Sequence, residues 1–201
     1  MKEVFLNKSM DLLSSKYNYD SLTKDKILYG LEIIYIFITK LSVILISALI
    51  FGLFKEMLIF TLLLNGLRTF AYGVHAKKSW HCYISSLVVF ILMPYIFINI
   101  NINLIQKIII SILSLISMYV YAPADTEKRP IVNMNQRKKL KLYSFLVCTI
   151  YIILSFIIKN EMIINLILLS MITESFVINP FIYKIFNLPY NNYKEYLKNG
   201  V

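Results

Sequence analysis

Six apolar runs, at about 27–53, 57–72, 82–99, 104–121, 141–158 and 162–183, leave this chain few folds to choose from. A hydrocarbon layer of about 30 Å takes roughly 20 helical residues to cross, and each run comes close to that length. In lipid every backbone N–H and C=O must be paired within the protein. No strand-length alternation of apolar and polar residues is present, so helices are the expected element. Hydrophobic residues make up 58% of the 201, against about 45–50% in soluble domains. The expectation is an all-α, polytopic membrane protein: one domain over 1–201, with six transmembrane helices across 27–183. A polar segment, 1–26, precedes the bundle and a tail, 184–201, follows it.

The first 18 residues are too polar to span. Val4, Phe5, Met10, Leu12 and Leu13 lie among Lys2, Lys8, Asp11 and Lys16, a mixture suited to an amphipathic helix on the inner membrane surface. The polar start and the lack of a small-residue cleavage site do not match a cleavable signal. The formal charge of +10 is divided among loops, so it points to no nucleic acid. Two cysteines, Cys82 and Cys148, give no disulfide framework.

The basic residues orient the chain. With the N-terminus inside, sixteen Lys and Arg fall on inner segments and three, Lys55, Lys107 and Lys159, on outer turns. The bias predicts a multi-pass protein of the cell membrane with both termini cytoplasmic. It also places the segment between the second and third runs at the cytoplasmic face.

That segment, residues 68–86 (RTFAYGVHAKKSWHCYISS), concentrates the reactive side chains: His75, His81 and Cys82. The thiolate is the reactive form of cysteine, and a neighbouring imidazole can generate it. Cys and His residues near membrane helix ends also occur without any chemistry. His75 and Cys82 are seven residues apart, too far on one unbroken helix for a hydrogen bond. They meet only if the chain turns between them, which Gly73 and the polar AKKSW permit. His81 adjoins Cys82 and points about 100° away on a helix, making it the poorer base. Ser86 lies one turn beyond Cys82, as a candidate support or a small packing residue. Arg68, seven residues before His75, would share its face on a continuous helix. It either faces the interior or snorkels outward. Two or three ligands without a carboxylate make a poor zinc site, so neither metal nor cofactor is expected. Three more charges fall within runs: Glu32, Lys40 and Glu174. By depth, Lys40 and Glu174 are expected to pair. Cys148, alone in the fifth run, reads as an inert packing residue.

The pattern Arg68, Gly73, His75, Cys82, Ser86 resembles the core of the accessory gene regulator protein B (AgrB) family. The stretch YAPADTEKRPI at 121–131 is similar to that family's second signature, in the same order and at a similar distance. Length, span count and basic loop match as well. One departure stands at Tyr72, where the family usually carries the first of two glycines. The resemblance implies a membrane-embedded cysteine endopeptidase of Gram-positive quorum sensing. Such a protein cleaves a small AgrD-like propeptide on its C-terminal side and helps close it into a thiolactone ring. Cys82 matches the nucleophile and His75 the base. Among the basic residues of 121–141, Lys128 and Arg129 lie in the matching motif and would hold the propeptide's acidic tail; the same charges could serve only topology and anionic lipid.

The alternative is a small transporter or exporter whose site is built from Lys40, Glu174 and Arg68. Against it, no inverted repeat is visible. A non-catalytic scaffold is the third reading. Partners expected are the propeptide and membrane lipid; a homodimer is left open.

Overall fold

A computed structural model describes residues 2–15, 17, 19–74, 79–127 and 129–198, without the side chains of Ser79, His81 and Lys198. The described residues are helical apart from short turns and one structured loop. In order come α1 (Lys2–Ser14), α2 (Ser21–Ile50), α3 (Phe54–Ala71) and α4 (Ser79–Leu87). Through a π-helical turn at Val88–Leu92, α4 continues into α5 (Met93–Phe97). Then follow α6 (Leu104–Tyr121), α7 (Met134–Ile157), α8 (Glu161–Val177), α9 (Pro180–Ile185) and α10 (Tyr193–Lys198).

All six apolar runs are therefore helical, with shifted ends. Helix α2 starts six residues earlier than the first run, at Ser21, and α7 seven earlier than the fifth, at Met134. The sixth run is not one helix. It breaks after Val177, where Asn179 accepts from the Phe181 N–H and Pro180 opens a new short helix. Three helices, α2, α6 and α7, are long and apolar enough to cross a membrane by length and composition. The α4–α5 rod is apolar over Cys82–Phe97, α8 has 17 residues, and α3 carries Lys55, Glu56 and Arg68 within its 18.

Helix α8 is the centre. Every residue from Ile164 to Met171 is buried, and α3, α6, α7 and α5 pack around it. Leu67, Ala71, Met118, Cys148, Ile167 and Met171 form the main core. The α6 face that turns inward carries Ser111, Ser114, Ser117 and Met118, whereas Ile112, Leu113 and Ile116 face out. This reverses the pattern of a water-soluble helix. Where the surroundings are lipid, apolar contrast drives nothing, and small residues that allow close approach take the inner face. The turn into α6 is closed by a reciprocal cap between Asn103 and Gln106. Asn165 reaches from α8 to the carbonyls of Phe97 and Ile100 at 2.9 and 2.8 Å.

Helix α2, about 45 Å long at 1.5 Å per residue, lies at the edge of the bundle. Only Ile44 and Ala48 are buried in it. The α1 helix leans on it through an ion pair of Lys2 with Glu32 and a Phe5–Tyr35 ring contact. Glu32, an intramembrane charge by sequence, thus has a cationic partner.

Candidate active site

The site begins where α3 ends. Arg68 closes the last turn by accepting the Tyr72 N–H at its carbonyl, 3.0 Å away. Tyr72 then takes φ 64° and ψ −128°, and Gly73 φ 116°. These are conformations that glycine adopts freely and other residues rarely do. Tyr72 therefore carries a side chain on a glycine-like backbone. Neighbouring bonds hold it. Ala124 donates to the Ala71 carbonyl and Gly73 to the Ala124 carbonyl, both at 2.9 Å, and Val74 donates to Val177 at 3.1 Å. The two signature stretches are thus joined directly upstream of His75.

A side chain on Gly73 would place its Cβ 3.1 Å from the Val177 oxygen, in a strained backbone region. Gly73→Ala should destabilise the protein by about 1–3 kcal/mol, the usual cost of such a conformation. Thermal unfolding in detergent measures this, and an unchanged midpoint would show that the turn relaxes without cost.

The helix that carries Arg68 stops at Ala71, so no continuous helix runs on from Arg68 through Val74. Arg68 turns inward instead. Its Nη2 donates to the Val74 carbonyl at 2.7 Å, and its Nη1 stands 3.8 Å from Glu174 Oε2. Glu174 is fully buried on α8. The expected Lys40–Glu174 pair is therefore wrong: Arg68 is the partner of Glu174. Depth along separate helices does not say which helices are neighbours. His75, with Ala76, Lys77 and Lys78, lies outside the described residues, as does the side chain of His81.

Cys82 is the fourth residue of α4 and is half-buried. Lys40 of α2 donates to its sulfur at 3.4 Å. One residue along each helix, Thr39 and Tyr83 share a short hydroxyl–hydroxyl bond, so the two contacts fix how α2 faces α4. Lys40 is the twentieth residue of α2, which sets the sulfur beside the body of that helix and away from its ends. The Ser85 hydroxyl donates to the Cys82 carbonyl at 3.2 Å, while Ser86 is buried. Cys148 is fully buried in the main core.

The second signature forms a loop clamped by the C-terminal segment. Asp125 is completely buried. Its carboxylate accepts the backbone N–H groups of Tyr193, Asn192 and Ile131 at 3.0, 3.1 and 3.4 Å. Arg137 of α7 stands 3.5 Å from it, donates to the Pro123 carbonyl at 3.0 Å and stacks on Tyr193. The Tyr183 hydroxyl donates to the carbonyls of Ala124 and Asp125. Arg129 is exposed and lies over the Tyr72 ring, 5.5 Å from its centroid. Lys128 lies outside the described residues. Of the basic residues from 121 to 141, Arg137 serves this clamp and Lys141 lies over Tyr119, while Arg129, Lys138 and Lys139 are exposed. Among the described residues no three His, Cys, Asp or Glu converge as a metal site.

A bundle with lipid-type patterning that holds a half-exposed cysteine against an ammonium defines a helical membrane protein with a candidate thiol site. A family model described as Accessory gene regulator B matches residues 6–178, and the protein belongs to that family. It is 36% identical to accessory gene regulator protein B of Staphylococcus carnosus over 154 residues, 75% of this chain and 80% of the relative. The same-named protein of Staphylococcus aureus strain Newman is 36% identical over 149 residues, covering 74% and 78%. An AgrB-like protein of Clostridium acetobutylicum is 33% identical over 203 residues, covering 97% and 95%. No solved structure matches the chain.

Proposed function

We propose that this protein is a membrane-embedded cysteine endopeptidase that cleaves the C-terminal part of an AgrD-like propeptide and promotes its closure to a thiolactone. The observation that carries the reading is the contrast between the two cysteines of an AgrB-family chain. Cys82 is half-exposed beside a cation, at the position matching the family nucleophile; Cys148 is sealed in the core. His75 takes the Cys82 proton, the sulfur attacks the scissile carbonyl, and His75 returns the proton to the leaving amine. The product is a thioester on Cys82. A propeptide thiol closes the ring on it, and placement among helices limits competing hydrolysis. The topology that serves this is six spans with both termini cytoplasmic and the thiol open to the cytoplasmic side. Lys128 and Arg129 hold the acidic tail of the substrate.

The test uses purified protein in lipid vesicles and a propeptide with an amphipathic N-terminus, a central cysteine and an acidic tail. Mass spectrometry should show a released linear tail and a cyclised remainder. A transporter or a scaffold would leave the propeptide whole. Replacing Lys128 and Arg129 together by Ala should weaken propeptide binding more than the chemical step, with the loss shrinking at high salt. Unchanged affinity at low salt would reject the capture role.

A further inference from the structure

We infer that Lys40 is a further catalytic group of the site: its ammonium holds the negative charge on the Cys82 sulfur, both when that sulfur attacks and when it is expelled. The inference deepens the endopeptidase reading above and rests on it. Three observations carry it.

A lysine two-thirds of the way along an apolar helix is costly to keep, and such residues mark function when they face the bundle interior. The acid expected to neutralise Lys40 is paired with Arg68, and the ammonium instead meets a reacting atom at 3.4 Å. The neighbouring Thr39–Tyr83 bond locks the same two helices, so the approach of Lys40 to Cys82 is built into their packing.

The chemistry gives the ammonium two uses. In cleavage the S–H proton passes to His75 and the sulfur bonds to the scissile carbonyl carbon. The C–N bond then breaks and the amine leaves with that proton. In ring closure a propeptide thiol gives its proton to His75, and its sulfur bonds to the same carbonyl carbon. The bond from that carbon to Cys82 breaks and leaves a thiolate, which His75 reprotonates. This second step exchanges one thioester for another, so the bond energies nearly cancel. What favours the ring is stabilisation of the Cys82 thiolate as a leaving group. Cys82 is half-buried, so water reaches its sulfur less than it reaches a free thiol. A fixed positive charge acts strongly there because the surroundings screen it poorly.

The test compares Lys40→Met, which keeps the length and removes the charge, with Lys40→Arg, which keeps the charge. Both are made in a Cys148→Ala background, so that Cys82 is the single thiol, and are studied in lipid vesicles. The first readout is the rate of Cys82 alkylation by iodoacetamide at fixed neutral pH; the reagent is uncharged, so attraction to the lysine does not enter. Lys40→Met should slow it about tenfold or more, and Lys40→Arg should stay within about threefold of the parent. The second readout is propeptide processing. Lys40→Met should slow cleavage and let the acyl-enzyme accumulate at the expense of the ring. Alkylation of folded Lys40→Met at the parent rate overturns the inference. Should Lys40→Met aggregate, Lys40→Arg decides: a tenfold loss in that variant overturns it and near-parental reactivity upholds it. Cys82→Ala separates the two proposals. If it still cleaves propeptide, the endopeptidase reading fails. If it is dead while Lys40→Met processes normally, only the role of Lys40 fails.

Discussion

Cys82→Ala and Cys82→Ser should each bind propeptide and release no fragment, while Cys148→Ala continues to cut. A serine hydroxyl needs stronger activation than a thiol before it attacks a peptide carbonyl. Cys148 is fully buried among Leu67, Met118 and Ile167, with no route for a substrate. His75→Ala should cost about 10²–10⁴-fold in cleavage rate, the usual share of a general acid–base. His81→Ala should retain much more, because sequence neighbours on a helix are set about 100° apart, which makes the residue next to Cys82 the poorer base. Fragment release by each purified variant, at matched propeptide binding, is the measurement. Cleavage by Cys82→Ala would end the cysteine mechanism. A dead His81→Ala beside an intact His75→Ala would show that the base has been misassigned.

Asp125→Ala should be the most damaging substitution outside the reactive segment. It removes the acceptor for three backbone N–H groups and leaves the Arg137 guanidinium without its carboxylate. Removing one partner of a buried ion pair costs about 3–5 kcal/mol. The loss should appear in two places. Protease should cut more readily between Phe186 and Lys198, because two of the lost bonds tie Asn192 and Tyr193 to the loop. Propeptide cleavage should also fall, since the same loop holds Gly73 through the Ala124 carbonyl. Glu127→Ala, two residues on and exposed, is the control and should change neither. Equal proteolysis of Asp125→Ala and the parent would show that Asp125 does not hold the C-terminal segment.

These two experiments divide along what the chain reveals by itself. The helices were legible because apolar runs near the thickness of a bilayer admit little else. The candidate segment around Cys82 stood out because Cys and His are rare residue types in this apolar chain. The turn after α3 was signalled by Gly73, and the two signatures by their order and spacing. None of this required knowing which helix touches which.

The lateral pairings came only with tertiary structure. Lys40 was visible as a charge that needed a partner, yet counting residues from a membrane face pointed to Glu174 rather than Cys82. Depth fixes one coordinate, and the other two are set by packing. Asp125 gave no sign of its role, because its partners are backbone N–H groups that every residue but proline carries, about 67 residues away at Asn192. In water, an apolar stripe would have told which face of each helix turns inward. Here α8 is buried nearly all round and α6 turns its serines inward. When lipid is as apolar as the core, hydrophobic patterning loses its power to assign faces, and close packing with buried ion pairs decides the neighbours.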